Sequence, residues 1–173
     1  MKLPARFPGR GGTTRNPFAP EEAVSKPVSG PKAGKLSFSL SSTMESVGEV
    51  EAAAEKLATE AGLDEDQAFH VTMAVREAAV NAVLHGNEYD PAKQITFTFE
   101  NTGKSLVFTI ADEGKGLDPD SLPDPRAPEN LLRGTGRGIF LIRSMMDEVH
   151  FRQLRPGTEL TLVKHLMPDH PQP

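Results

Sequence analysis

The chain has 173 residues, 37% of them hydrophobic, which is the size and apolar share of one globular domain and excludes wholesale disorder. Its longest apolar runs span only a few residues, which excludes a membrane helix, and no apolar stretch follows the basic start as it would in a secretory signal. Without cysteine, disulfides and thiolate metal sites are excluded. We therefore expect a cytoplasmic protein.

The formal net charge of -5 is unevenly distributed. Residues 1–35 hold seven Lys or Arg and two Glu, a balance of +5, so residues 36–173 carry -10. An acidic body argues against direct nucleic-acid binding, which needs clustered Lys and Arg to neutralise phosphates. Residues 1–35 also contain six prolines and five glycines. We expect this basic arm to be disordered and solvated, although its charge would suit an acidic partner or RNA.

The folded body is predicted to begin with a strand and a helix. Residues 36–40 alternate apolar and polar side chains, which is the period of a half-buried strand. Ser42 or Thr43 then has the side chain of a helix N-cap, and apolar residues recur at steps of three and four. Gly62 is a fitting stop for this first helix.

A second helix is predicted to start at Asp64 or Asp66 and to end at residues 85–87, where Gly86 would take the left-handed conformation of a helix cap. Its predicted inner stripe comprises Phe69, Met73, Val75, Ala79, Val80 and Val83.

After Pro91 the hydrophobic pattern changes to a period of two. It predicts strands at residues 95–99 and 106–110, joined by a hairpin turn at 101–104. Residues 113–134 form a stretch too long and too charged for a tight turn, which is typical of a functional loop. A third helix at 137–147 and two strands at 148–155 and 158–167 complete the predicted elements.

This order groups the helices and places consecutive strands in hairpins. It predicts an α+β fold: a two-layer α/β sandwich in which a mostly antiparallel sheet carries helices on one face. A parallel doubly wound fold, which alternates strand and helix throughout, is excluded. The predicted domain spans residues 36–167 and is followed by a flexible tail at 168–173.

The second helix carries the first of three segments with chemical potential. Glu77, Asn81 and His85 are spaced i, i+4, i+8 and would lie along one face of a helix. A carboxylate and a carboxamide one turn apart can hold a hard cation such as Mg²⁺ and orient a hydroxyl beside it. The spacing alone is more typical of a polar rim on an amphipathic helix. His85 suits the negative end of the helix dipole, and we expect Arg76 to be solvated or paired.

The second segment follows the strand at 106–110. Asp112 would lie at the mouth of the sheet, and Gly114 and Gly116 would let the backbone pass close to a flat ligand. By itself this pattern predicts no more than a turn.

The third segment holds alternate glycines immediately before the third helix. Gly134, Gly136 and Gly138 would expose successive backbone N–H groups at a helix N-terminus, which is a favourable arrangement for binding an anion. Arg137 adds a charge that can reach a phosphate oxygen. A Rossmann motif is disfavoured because no strand immediately precedes the glycines, and no Walker loop is present.

Together, the order and spacing of the three segments resemble the ATP-binding domain of the GHKL superfamily, which includes histidine kinases, gyrase and Hsp90-type ATPases. Residues 77–81 match its N box, 112–116 its first glycine box and 134–138 its second. The sequence is most similar to the bacterial anti-sigma-factor serine kinases, in the form of the N box, in the closing segment 134–149 and in its small size.

The resemblance implies a Bergerat-type ATP-binding fold over residues 36–167, with ATP and Mg²⁺ as cofactors. It implies that Asn81 ligates the Mg²⁺ that bridges the phosphates, and that Glu77 is the catalytic base for a serine of a partner protein. Asp112 would accept a hydrogen bond from the adenine amino group.

The remaining implied nucleotide-binding residues are the glycines and one arginine. Gly114 and Gly116 would let the loop fold over the base, and residues 117–133 would form a mobile lid. The second glycine box would hold the phosphates through Gly134, Gly136, Arg137 and Gly138.

The function implied is a protein-serine kinase that binds a sigma factor and phosphorylates an anti-sigma-factor antagonist, as a homodimer. A nucleotide-dependent binding module without catalysis is the main alternative. A detached histidine-kinase catalytic domain is disfavoured, because the arm contains no histidine and His70, on the same helix as Glu77, cannot swing into its own site.

Overall fold

A single antiparallel sheet supports the helices of the molecule. The computed structural model describes residues 33–116 and 137–166. The strands are β1 (Gly34–Ser41), β2 (Gln94–Asn101), β3 (Ser105–Ala111), β4 (Glu148–Gln153) and β5 (Thr158–His165). Their order in the sheet is β1-β2-β3-β5-β4, and every neighbouring pair is antiparallel. The predicted α+β sandwich is confirmed.

The first helix, α1 (Met44–Glu60), begins and ends where local chemistry dictates. Thr43, in extended conformation, is the N-cap, and its hydroxyl accepts a hydrogen bond of 3.2 Å from the Ser46 N–H. Gly62 follows the helix with φ +86, a conformation that other residues rarely adopt. Both bounds agree with the prediction.

The second helix, α2 (Glu65–Asn81), is capped by Asp64, whose carboxylate accepts a hydrogen bond of 2.8 Å from the Gln67 N–H. Its predicted inner stripe is partly wrong, because Phe69 is 59% exposed. The buried arc consists instead of small residues, which let the helix pack closely against α1 and the sheet. They are Ala68, Val71, Thr72, Ala74, Val75, Ala78 and Ala79.

The end of this helix also differs from the prediction. Residues Ala82–Gly86 continue α2 as one π-helical turn, closed by a hydrogen bond of 2.7 Å from the Asn87 N–H to the Ala82 carbonyl. Gly86 does not have the predicted left-handed conformation, which is found at Glu88 and Tyr89 instead. The reason for a glycine at position 86 is a close contact described below.

The last described elements are slightly shorter than predicted. The helix α3 spans Arg137–Met145 rather than 137–147, and the two final strands lie within the predicted ranges. The core between sheet and helices is built around Phe97 and Phe108, which are almost completely buried. No helix within residues 33–116 and 137–166 combines the length and apolarity needed to cross a membrane. Residues 34 and 35, which the sequence analysis assigned to the disordered arm, belong to β1, because they pair with β2. The rest of the predicted arm up to residue 32, the predicted lid and the predicted tail lie outside the described residues.

Candidate active site

The last turn of α2 meets the first turn of α3 at a pair of polar side chains. Glu77 and Asn81 are both partly buried and lie one helical turn apart on α2. Gly138 of α3 lies directly against them: a Cβ at Gly138 would overlap Glu77 Oε1 and would lie 3.1 Å from Asn81 Nδ2. The structure therefore brings residues of the first and third predicted segments together. Asn81 and Gly138, which are in contact here, are 57 positions apart in the sequence.

One atom of the Asn81 amide is buried without a hydrogen-bond partner. Its Nδ2 atom has no partner among the described residues. Leaving a buried polar group unpaired costs about 1–3 kcal/mol, and such groups are typical of sites that bind a ligand. The amide oxygen and nitrogen can exchange places by rotation about the terminal bond of the side chain. The side chain is thus able to offer either atom to a ligand.

These residues fit a magnesium ion bound with a nucleotide. The carboxamide oxygen of Asn81 and the carboxylate of Glu77 are hard oxygen donors of the kind that Mg²⁺ prefers, and Mg²⁺ usually takes only one or two protein ligands together with phosphates. The described residues contain no group of three or more His, Cys, Asp or Glu that could hold a metal. The chain offers the side-chain oxygens of Glu77 and Asn81 here, and the phosphate oxygens of a bound nucleotide would supply the further ligands of the ion.

Asp112 lies at the end of β3 and is only 8% exposed. Its Oδ1 accepts hydrogen bonds from the backbone N–H groups of Gly114 (2.9 Å) and Thr158 (3.1 Å). Burial raises the pKa of Asp112, while these two hydrogen bonds and the charge of Lys93 act in the opposite direction. Both hydrogen bonds from described residues are made to Oδ1, so Oδ2 retains its acceptor capacity.

Three glycines surround Asp112 because the chain passes too close for side chains. A Cβ at Gly86 would overlap the Asp112 carboxylate, one at Gly114 would overlap the Gly86 carbonyl, and one at Gly157 would overlap the Asp112 carbonyl. These contacts explain Gly86 and Gly114 through packing of the chain against itself, whereas the sequence predicted a left-handed helix cap at Gly86 and a close approach to a flat ligand at Gly114. They fix the carboxylate beside the π turn at the end of α2.

We expect Gly114→Ala to destabilise the protein by about 1–3 kcal/mol, because the new methyl group overlaps a backbone carbonyl that cannot rotate away. Urea unfolding measures the loss. Gly48→Ala is the matched control: Gly48 lies within α1 with no atom within 4 Å of an added Cβ, so this change should stabilise the helix by up to about 1 kcal/mol. Equal effects of the two changes would contradict the close approach of Gly114 to Gly86.

Asn87 is a site residue that the sequence did not reveal. It is completely buried, its Nδ2 donates to the Gln94 carbonyl (2.9 Å), and its Oδ1 accepts from the Glu113 N–H (2.8 Å). It therefore joins the π turn to β2 and to the residue after Asp112. In the sequence, an asparagine after His-Gly is typical of a turn, and no periodic signal marks it as buried.

Asn87→Ala is expected to lower the free energy of unfolding by about 1–3 kcal/mol, because it removes both hydrogen bonds of a fully buried side chain and leaves the Gln94 carbonyl and the Glu113 N–H without this partner. Asn87→Asp keeps the acceptor for the Glu113 N–H but loses the donor to the Gln94 carbonyl. Its loss of unfolding free energy should be smaller at low pH, because the neutral carboxyl has an O–H that can donate to this carbonyl. Thermal unfolding of both variants measures the difference. A loss of unfolding free energy below about 1 kcal/mol for Asn87→Ala would show that the hydrogen bonds of Asn87 do not stabilise the fold.

The other residues that the sequence singled out lie at several separate places in the structure. Arg137 is exposed at the start of α3, and His85 is exposed within the π turn, so the regular helical face through Glu77 and Asn81 does not extend to it. Gly116 has φ +92 and lies against the side chain of Gln153. Arg76 forms an ion pair of 3.0 Å with Glu51 of α1, as expected. Gly134 and Gly136 lie outside the described residues.

Comparison with known proteins identifies the class. Residues 40–164 match the histidine kinase-like ATPase domain family, and the chain belongs to this family. Within it, the chain is 32% identical over 136 residues to the anti-sigma F factor of Anoxybacillus flavithermus, an alignment that covers 76% of this chain and 90% of that protein. The resemblance predicted from the three segments is confirmed.

Further relatives are similar over a shorter range. The serine-protein kinase RsbW of Staphylococcus aureus is 33% identical over 113 residues, covering 61% of this chain and 70% of that protein. The serine-protein kinase RsbW of Bacillus subtilis is 29% identical over 117 residues, an alignment that covers 64% of this chain and 72% of that protein. The solved RsbU and RsbW domains of a Mycobacterium tuberculosis protein match with a TM-score of 0.57 at 19% identity, over 76% of this chain and 32% of that one. That match supports the fold.

Proposed function

We propose that this chain is an ATP-dependent protein-serine kinase and anti-sigma factor that phosphorylates a serine of an anti-sigma-factor antagonist in a partner-switching pathway. The observation that carries the proposal is the contact of Gly138 with Glu77 and with the unpartnered amide of Asn81. The names of the relatives, an anti-sigma factor and serine-protein kinases, support the same activity.

The adenine base is proposed to bind at Asp112. Its Oδ2 accepts a hydrogen bond from the adenine amino group, while Oδ1 is held by the Gly114 and Thr158 N–H groups. Guanine carries a carbonyl in place of this amino group, and an acceptor facing another acceptor is repulsive. The geometry thus favours ATP over GTP.

The phosphates are proposed to bind between α2 and α3. The N-terminus of α3 supplies backbone N–H groups, and Arg137, Gly134, Gly136 and Gly138 belong to the same segment. Asn81 holds the Mg²⁺, which when bound neutralises charge on the phosphates. Gly138 lets the start of α3 approach Glu77 and Asn81 closely, because a Cβ at this position would overlap the Glu77 carboxylate.

Glu77 is proposed to act as the general base. It takes the proton from the serine hydroxyl of the partner as the oxygen of that hydroxyl forms its bond to the γ-phosphorus and the bond from this phosphorus to the ADP oxygen breaks. The products are phosphoserine and ADP, and no covalent enzyme intermediate is needed. Catalysis then depends on position and charge neutralisation.

We further propose that the protein is a homodimer, that it acts in the cytoplasm, where ATP is supplied, and that its second partner is a sigma factor. A partner-switching kinase of this class binds both the sigma factor and the antagonist. The acidic balance of residues 36–173 supports protein partners rather than direct contact with nucleic acid.

Transfer of labelled phosphate tests the proposal. Incubation with Mg²⁺, ATP labelled at the γ-phosphate and the cognate antagonist should place the label on one serine of the antagonist. An antagonist with that serine replaced by alanine is the control and should remain unlabelled. A folded, ATP-bound protein that transfers no phosphate would overturn the kinase activity and favour a nucleotide-dependent binding module.

A further inference from the structure

A groove lies between α1 and α2, away from the active site. Its volume is about 610 Å³, and it is lined by the second half of α1, by the connection to α2 and by the first turns of α2. The lining ends at Met73, one helical turn before Glu77. The groove is thus formed by the N-terminal part of α2, whereas Glu77 and Asn81 lie near the other end of this helix.

The groove is acidic, and most of its carboxylates have no ion-pair partner among the described residues. Four of its lining residues are the carboxylates Glu51, Glu55, Glu65 and Asp66. Glu51 is paired with Arg76, whereas the other three form no ion pair within residues 33–116 and 137–166. Three unpaired carboxylates around one concavity favour an occupant with several positive charges.

The groove is also partly apolar. Leu63, Phe69 and Met73 contribute to its lining, and Phe69 is 59% exposed. An exposed phenylalanine beside a concave surface provides area for an apolar side chain of an occupant. The occupant that fits is a segment in which basic and apolar residues are interleaved.

Residues 1–32 of the same chain have this composition. They hold six Lys or Arg and two Glu, a balance of +4, and Leu3, Phe7, Phe18 and Val28 lie between the charges. By contrast, residues 33–173 hold 22 Asp or Glu and 13 Lys or Arg, a balance of -9. The arm and the groove are therefore complementary in charge and in apolar character.

The fold places the origin of the arm at the right end of the domain. β1 begins at Gly34, and only two residues separate its last residue, Ser41, from α1. The buried residues of α1, from Val47 to Ala58, share one core with Phe38 of β1, so the helix returns over the sheet. Both elements are about 26 Å long, so the end of α1 that lines the groove lies at the end of the domain where the arm enters.

We propose that the basic arm, residues 1–32, docks in this groove of its own chain. Its Lys and Arg side chains pair with Glu55, Glu65 and Asp66, and an apolar side chain of the arm covers Phe69. Docking costs conformational entropy in the bound segment, which the charge pairing and the apolar contact with Phe69 must offset.

A spin label tests this docking in the full chain. Because the protein contains no cysteine, Ser25→Cys provides a single attachment point for a nitroxide within the arm. Amide signals of residues 63–73 should be lost by paramagnetic broadening in the labelled ¹⁵N-enriched protein. They should return at about 1 M salt, where the Debye length falls to about 3 Å.

Two triple variants of the labelled protein identify the groove as the site. Glu55→Gln, Glu65→Gln and Asp66→Asn together should restore the amide signals of residues 63–73, whereas the matched control, Glu45→Gln, Glu49→Gln and Glu100→Gln, should leave them broadened. The control removes the same number of exposed carboxylates elsewhere. Undisturbed signals in the parent protein, or broadening that survives in the groove variant, would overturn the proposal.

A mixing experiment separates docking within one chain from docking between chains. Label-free ¹⁵N-enriched protein is mixed with nitroxide-labelled protein of natural isotope content. The proposal predicts no broadening in this mixture. Loss of the amide signals of residues 63–73 there would show that the groove binds the arm of a second copy, which would overturn docking in cis.

Discussion

Asp112→Asn should weaken ATP binding about 10- to 100-fold and leave thermal stability equal or higher at neutral pH. The asparagine oxygen can still accept the Gly114 and Thr158 N–H groups, but its NH₂ group then replaces Oδ2 and opposes the adenine amino group, donor against donor. Calorimetric titration measures the affinity and thermal unfolding the stability. A variant that binds ATP normally but unfolds more easily would contradict the proposed role of Asp112.

The gain in stability follows from the pKa of Asp112. Burial raises this pKa in the folded protein, so the contribution of the carboxyl to stability is present below its unfolded pKa and is lost as the pH rises through the folded value. At neutral pH the folded protein carries a buried negative charge that asparagine removes. The stability difference between variant and parent should therefore diminish as the pH falls through the folded pKa, which burial raises above the ordinary value for aspartate.

Glu77→Gln should abolish most phosphoryl transfer while ATP binding persists. Glutamine keeps the shape of the side chain against Gly138 but cannot accept the proton, and loss of a general base lowers the rate of the chemical step about 10²- to 10⁴-fold. Single-turnover transfer from ATP to the antagonist measures the rate. Glu49→Gln, an exposed position on α1, is the control and should react at the parent rate.

Asn81→Ala separates binding from chemistry. If Asn81 holds Mg²⁺, its loss weakens Mg-ATP binding itself, and the unpaired buried amide disappears as well. The two variants should therefore differ: Glu77→Gln binds Mg-ATP normally but transfers phosphate slowly, whereas Asn81→Ala binds Mg-ATP more weakly than the parent. Normal transfer by Glu77→Gln would show that another group accepts the proton.

The order of strands and helices was predictable because periodicity reports which face of each element is buried. Alternation in Ile95, Phe97 and Phe99 placed β2 correctly, and Thr43 and Asp64, each among the candidates for a helix N-cap, proved to be the capping residues. Such signals are local, because they depend only on the residues of one helix or strand and on which of its faces is exposed to water. The contact of Gly138 with Glu77 and Asn81 was anticipated only through the resemblance to a known family.

The errors arose where tertiary contacts override local preference. Hydrophobicity predicts a buried Phe69, but the buried arc of α2 is set by small residues that allow close packing, and the large ring is left outside. The glycine at 86 suggested a left-handed cap, whereas its true constraint is the Asp112 carboxylate, 26 residues away. Asn87 is buried by partners on two other segments, so no local pattern could reveal it.

Titration of the folded protein with ATP, in the presence and absence of magnesium, tests the central claim most directly. We expect calorimetry to show one nucleotide bound per chain, tighter with millimolar Mg²⁺ than without it, and a rise in melting temperature as the nucleotide concentration increases. Absence of binding heat for both ATP and ADP, from protein whose fold is verified, would contradict the assignment of Glu77, Asn81 and Asp112 to one nucleotide site.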